Sequence, residues 1–266
     1  MIKQEQTNVD IKKVHSHCLQ IANEMHRILT SHNIPYFMVG GTLLGSIRHK
    51  GFIPWDDDMD FGIIREYYWT AIDILRKELK YPYKCISYKE SSICLHESCK
   101  IMDMSTRIQE DDYCSDEKGV FIDLFPYDYS DGKTGLFSNY MIIKTLVRLQ
   151  NYRFTNVTGR NKLLVLISNF IKFLFYPLNY KTIPNLIGKH LVQHKGMYVI
   201  CHVGLYNKRE IIEANVIGCP RLMPFEDTFF YGMEKAEEYL THIYGDYMQI
   251  PPEDKRRIHL INTKFL

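Results

Sequence analysis

The chain has 266 residues and a hydrophobic fraction of 45%, with 33 lysines and arginines against 31 aspartates and glutamates. That apolar content supplies a core for one large domain or two small ones, while a formal charge of +2 excludes the bulk positive field on which non-specific nucleic-acid binding relies, so no nucleic-acid partner is expected. The seven cysteines (Cys18, Cys85, Cys94, Cys99, Cys114, Cys201 and Cys219) form an odd set without a CxxC pair, which excludes a disulfide framework and a zinc ribbon and leaves reduced thiols.

Met1 to Asp10 is polar and lacks the apolar stretch of an export signal, so a cytoplasmic location is expected. From about Asp10 to Ser31, Ile11, Val14, Cys18, Ile21, Met25 and Ile28 recur at spacings of three and four and describe one apolar face of a helix. His15, His17 and His26 on that helix have no further ligand to complete a metal site and read as solvated or core histidines. Asn33-Ile34-Pro35 ends the helix. Tyr36 to Val39 then reads as a short buried strand, and Gly40-Gly41-Thr42 turns the chain into a second helix through about His49. Backbone N–H groups at such a helix start, backed by its dipole, make a natural phosphate cradle to which Thr42 adds a hydroxyl. Taken alone, the two glycines are better explained by a tight turn that needs positive φ.

The next stretch, GFIPWDDDMDFGII (51–64), is a proline-containing loop running into an apolar strand. Strand side chains alternate, so Asp58 and Asp60 project from one face while Met59, Phe61 and Ile63 take the other. Two like charges at adjacent same-face positions repel, and a hard divalent cation such as Mg²⁺ or Mn²⁺ between them removes that cost. A helix over 66–79, strands near 83–88, 98–103 and 106–110, and a strand from Val120 to Phe125 continue an α/β or α+β core. In the last of these Asp123 lies amid Val120, Phe121, Ile122, Leu124 and Phe125, where a carboxylate is costly unless a metal or another partner satisfies it.

From Asp131 onward the pattern is helical, at about 135–153, 161–176 and 183–194. The run Leu163 to Tyr176 is strongly apolar but too short to span a bilayer. It is expected to be a buried helix, ahead of an interfacial one at an anionic membrane surface favoured by Arg160, Lys162 and Lys181. Strands near 197–203 and 211–217 follow, then a helix from Glu234 to Tyr244 stopped by Gly245. The tail carries Lys255, Arg256, Arg257 and His259, which read as a solvated terminus or a phosphate contact. No repeat or Pro/Gly-rich linker occurs, so the expectation is one catalytic domain over 1–266, its core about 10–130 and 197–266, with a helical insertion at about 131–196.

Several chemistries are excluded by their missing parts. Counted from Asp56, an EF-hand needs glycine at its sixth position and glutamate at its twelfth, where Phe61 and Tyr67 stand. The chain has no GxxxxGK[ST] run, no HRD and no GxSxG, and its DFG tripeptide, Asp60-Phe61-Gly62, has no HRD before it.

Three segments, GGTLLGSIRHKGFIPWDDDMDFGI (40–63), GVFIDLFPYD (119–128) and FEDTFFYGMEKAEEYLTHIYGDYMQIPPEDKRRIH (225–259), resemble the LicD family. That family belongs to the nucleotidyltransferase-like superfamily and is related to fukutin and fukutin-related protein. The resemblance implies an α+β fold, a mixed sheet flanked by helices, and loosens over 131–200. It implies that Gly40 and Gly41 form the phosphate-facing turn, that Asp58 and Asp60 are the Asp-x-Asp metal ligands, and that Asp123 is the third carboxylate. Asp56 and Asp57 belong to the same signature as orienting residues, and Trp55 pins their loop. The closing motif falls on Tyr244, Gly245, Asp246, Tyr247, Pro251, Pro252, Lys255 and His259, a substrate-side element.

The implied activity is transfer of phosphorylcholine or a related phospho-alcohol from a CDP-linked donor to a hydroxyl of a surface glycan or its lipid-linked precursor, with Mg²⁺ or Mn²⁺. Asp123 is a candidate base, and Lys50, Lys100 and Arg107 are candidate phosphate clamps by charge type. The enzyme is then expected in the cytoplasm or peripheral on the inner membrane face. A nucleotidyltransferase acting on a sugar or alcohol phosphate uses the same metal constellation. A glycosyltransferase with an Asp-x-Asp motif would place a longer strand and helix series ahead of Asp58, and a non-catalytic binding module would be expected to have lost a carboxylate.

Overall fold

The computed structural model describes residues 10–91, 94, 96–110, 119–154, 162–192, 194–256 and 260–265. Its strands are β1 (Phe37–Met38), β2 (Asp60–Ile64), β3 (Tyr83–Ser87), β4 (Cys99–Asp103), β5 (Thr106–Glu110), β6 (Phe121–Ser130), β7 (Tyr198–Ile200), β8 (Ile211–Glu213), β9 (Arg221–Phe225), β10 (Thr228–Gly232) and β11 (Leu260–Phe265). The helices are α1 (Ile11–Ser31), α2 (Gly40–Arg48), α3 (Arg65–Glu78), α4 (Asn139–Phe154), α5 (Lys162–Phe175), α6 (Thr182–His190), α7 (Ala214–Ile217) and α8 (Ala236–Tyr244).

The main sheet runs β3-β4-β6-β2-β1-β10-β9 and is mixed, since β2 pairs with β6 and β1 with β10 in parallel while the other pairs are antiparallel. This is the mixed sheet flanked by helices that the sequence led one to expect. The long β6 continues past the sheet to pair with β7, which pairs with β8, and β5 forms a separate two-stranded sheet with β11.

Val14, Cys18, Ile21, Met25 and Ile28 on α1 are fully buried against this sheet, as are Met59, Phe61 and Ile63 on β2 and its approach. Removing each such side chain from water contributes about 1.5–3 kcal/mol, so the alternation of apolar and acidic residues over 58–63 is held in place from the core side. The helices α4 to α6 carry a small core of their own, made by Ile143, Val147, Ile183 and Ile187.

Two parts of the chain depart from the expectation. Residues 221–232 form the hairpin β9–β10 at the sheet edge, and 214–217, expected as strand, are the short helix α7. The apolar run 163–176 is a helix, but it is not buried: Leu163, Leu166, Ile167, Phe170, Phe173 and Leu174 are all exposed. The spacing of these residues reads as core-facing, yet the six side chains meet solvent while the helix packs on α4. Among the described residues no helix is long and apolar enough to cross a membrane.

Candidate active site

Sheet register builds the centre of the site. Asp60 on β2 is paired with Asp123 on β6, and Asp123 with Lys100 on β4. Paired residues on adjacent strands share a face at a strand spacing of about 4.8 Å, so the three side chains form one row across three neighbouring strands. The Lys100 ammonium donates to Asp123 Oδ2 at 2.7 Å. The Asp123 amide donates to the carbonyl of Met59 at 2.8 Å, which ties the acidic approach to the middle strand.

The acidic loop lies against the start of α2. Gly40 adopts φ +55°, and a Cβ there would stand 3.1 Å from Asp60 Oδ2; a Cβ on Gly41 would stand 2.3 Å from Asp56 Oδ2. The two glycines are therefore the space in which the carboxylates sit, beyond any need of the turn itself. The Thr42 hydroxyl is buried and accepts the Asp60 amide at 2.7 Å, so it fixes the carboxylate strand and does not face a ligand. The Gly40 amide donates to the Tyr239 hydroxyl at 3.3 Å. His15, stacked on Phe52, donates from Nε2 to the Asp56 carbonyl at 2.6 Å and buttresses the loop from α1.

These groups open into a cavity of about 710 Å³. Asp56, Asp58, Asp60 and Asp123 line one side, and Tyr206, Glu210, Tyr239, Tyr244 and Tyr247 are also in the wall. Tyr206 and Tyr244 meet edge to face at 5.2 Å, and Glu210 is buried, accepting the Tyr206 amide at 3.0 Å. Withdrawal from water pushes the Glu210 carboxyl above its ordinary range. Burial first, and then the neighbouring carboxylates, push Asp58 and Asp60 well up, with Lys100 opposing the shift at Asp60.

Among the described residues, Asp56, Asp57 and Asp58 offer carboxylate oxygens within 4.8 Å of one another, with Asp60 and Asp123 beside them on the strands. So dense a set of hard oxygen donors, in a cleft with one ammonium among them, suits a small divalent cation such as Mg²⁺ or Mn²⁺. Asp56 lines the cavity together with Asp58 and Asp60, a more direct position than the orienting place given to it above.

Of the expected phosphate clamps, the structure brings only Lys100 into the cavity. Lys50 is exposed outside the wall, and Arg107 lies on β5 in the small sheet, where its guanidinium donates to the Met104 and Thr106 carbonyls. Lys255 is exposed and outside the wall, and His259 lies outside the described residues. Arg256, the neighbour of Lys255, stacks over Trp55 at 4.4 Å on the cavity rim. Arg48, which donates to the Tyr247 carbonyl at 2.7 Å, is a second basic residue in the wall. The sequence reading passed over Arg48, Tyr206 and Glu210. Only Glu210, the first carboxylate after the acid-free run 132–209, carries a signal in the sequence.

A family model described as LicD/FKTN/FKRP, nucleotidyltransferase domain, matches residues 33–154. Along 94% of its length the chain is 29% identical to the lipopolysaccharide cholinephosphotransferase LicD of Haemophilus influenzae, covering 95% of that protein. A segment of 53 residues, 18% of the chain, is 42% identical to the ribitol 5-phosphate transferase FKRP of Homo sapiens, of which it covers 11%. The matched domain contains every residue of the Asp60–Asp123–Lys100 row.

Proposed function

We propose that the chain is a phospho-alcohol transferase of the LicD type, on its match to the LicD/FKTN/FKRP nucleotidyltransferase domain over residues 33–154, and that it moves a phospho-alcohol with a cationic head, phosphorylcholine or phosphoethanolamine, from a CDP-linked donor to a hydroxyl of a surface glycan or its lipid-linked precursor. The observation that carries this reading is the row of Asp60, Asp123 and Lys100 facing the Gly40-Gly41 turn, in one cavity with a wall of tyrosines and a buried glutamate. Carboxylates with a lysine handle phosphate through a divalent cation. Tyrosine faces beside an anionic group attract a quaternary or primary ammonium, and this favours a cationic head over a polyol.

Asp58, Asp60 and Asp56 would hold Mg²⁺ or Mn²⁺. When bound, such an ion neutralises the donor phosphates and the charge that develops as the nucleotide leaves. Lys100 contributes a second positive charge at the transferring phosphate. Asp123, held by Lys100, would accept the proton of the attacking acceptor hydroxyl. Tyr206, Tyr244 and Glu210 would seat the head group. The balance is a P–O bond made to the acceptor oxygen, a P–O bond broken to release CMP, and one proton passed to a carboxylate and then to water.

The reading is tested by incubating the protein with Mg²⁺, a panel of CDP-alcohols, CTP, sugar nucleotides and a glycan extract. CMP release from CDP-choline or CDP-ethanolamine is expected, reduced at least about a thousandfold in Asp58→Asn, the scale of losing an electrostatic catalytic group. Pyrophosphate from CTP would make the enzyme a nucleotidyltransferase, and UDP from a sugar nucleotide a glycosyltransferase.

A further inference from the structure

The helix α5 turns its hydrophobic stripe away from the protein. Leu163, Leu166, Ile167, Phe170, Phe173 and Leu174 recur at helical spacing along one side, and their exposures run from 44% to 80%. A monomer rarely leaves so continuous an apolar strip in water, and a strip of this size marks a contact surface.

The charge of the surrounding segment says what that contact is. Residues 132–209, which include α4, α5, α6 and β7, contain twelve lysines and arginines and no aspartate or glutamate. The segment therefore carries +12, while the rest of the chain, with 21 basic and 31 acidic residues, carries −10. An apolar strip on a helix whose own chain segment, 132–209, holds no carboxylate is complementary to a surface that is apolar within and anionic at its face. A protein partner would need an acidic rim around an apolar groove, whereas an anionic bilayer offers both features everywhere on its surface. At 14 residues α5 is about 21 Å long, too short to span a bilayer but suited to lie in its plane.

We propose that α5 docks this protein on an anionic lipid surface, with the six apolar side chains inserted among the acyl chains and the basic segment around them drawn to the headgroups. The proposal stands apart from the assignment of the reaction and uses no residue of the cavity. Through α4 the docked helix is linked to the cavity wall, because α5 packs on α4 and Lys144 of α4 donates to the carbonyl of Gly204 at 2.9 Å.

The test is flotation of the full chain with vesicles of phosphatidylcholine alone and of phosphatidylcholine mixed with phosphatidylglycerol, at low and high salt. Wild type is expected to float with the mixed vesicles and to be released by salt. Phe170→Ser with Phe173→Ser should lower partitioning at least about tenfold, since two aromatic side chains no longer leave water. Both side chains are exposed, so the variant should keep its circular dichroism spectrum. A second variant, Phe173→Trp, should show blue-shifted emission on the mixed vesicles. Failure of wild type to float with either vesicle, flotation of the double serine variant equal to wild type, or unshifted emission from Phe173→Trp would overturn the proposal. So would sedimentation showing a dimer that the serine variant abolishes without any vesicle binding, which would make the strip a contact between copies.

Discussion

Lys100 donates to Asp123 at 2.7 Å and stands at the end of the row away from Asp58. Its charge therefore serves the transferring phosphate more than the cation, and its removal should separate the two. Lys100→Met is expected to lower kcat/KM by roughly ten- to a thousandfold without raising the Mg²⁺ concentration for half-maximal rate, as read from rate against Mg²⁺. A raised Mg²⁺ requirement would place Lys100 in cation binding instead.

A second residue governs pH behaviour away from the cavity floor. His202 is buried among Arg65, His96, Glu97 and Asp128, and desolvation, aided by Lys144 and Arg65 and opposed by Asp128, lowers its pKa to about 4. The unfolded chain binds a proton near pH 6.5 and the folded chain does not until about pH 4. Stability from this group is thus intact above pH 6.5 and falls as pH drops toward 4, by on the order of 3 kcal/mol in all. Urea melts of wild type should show that decline, and His202→Gln should flatten the slope between pH 6.5 and 4 whatever its overall stability.

At the scale of elements, the strand of carboxylates and the start of α2 were built to fit each other. Gly41→Ala puts a methyl group 2.3 Å from Asp56 Oδ2, and Gly40→Ala adds the strain of φ +55°, on the order of 1 kcal/mol. Both variants should fold, with the thermal midpoint of Gly40→Ala lowered by a few degrees, yet lose at least about tenfold in activity because the acidic loop is displaced.

This fit was half legible in the sequence. Met59, Phe61 and Ile63 alternate with Asp58 and Asp60, and that period fixes a face. Nothing local says that Asp123 stands beside Asp60, since the pairing of β2 with β6 spans three strands and a helix. Other elements were opaque for definable reasons. Pro224 lies inside β9, an edge position that tolerates it, and the β9–β10 turn places Glu226 at φ +53° where a glycine would have marked a hairpin. Glu210 ends a single 3₁₀ turn, too short to show any period. The α5 stripe has the spacing of a buried helix because spacing reports which residues share a side and not what that side meets.

Over the whole molecule, the site works against the fold that carries it. Asp56, Asp58, Asp60 and Asp123 meet on one side of the cleft, so the metal-free chain is held together in spite of their repulsion. Asp60→Asn in metal-free buffer should therefore melt higher than wild type, by about 0.5–2 kcal/mol, the range for relieving a strained functional site. In Mg²⁺ at a hundredfold excess over its Kd the order should reverse, wild type gaining about 2.7 kcal/mol and the variant much less. Differential scanning calorimetry with and without Mg²⁺ measures both, and equal gains in the two proteins would place the ion elsewhere.

The near-neutral formal charge conceals how the protein will behave in a beaker. With +12 over residues 132–209 and −10 over the rest, it will be retained by cation and anion exchangers alike, and a pI near 8 is a poor guide to its purification. In dilute buffer, where screening reaches about 30 Å, the opposite regions of neighbouring copies should attract and turbidity should rise; at 0.15 M salt that reach shrinks to about 8 Å and the turbidity should clear. Salt is thus the condition expected to keep this protein in solution.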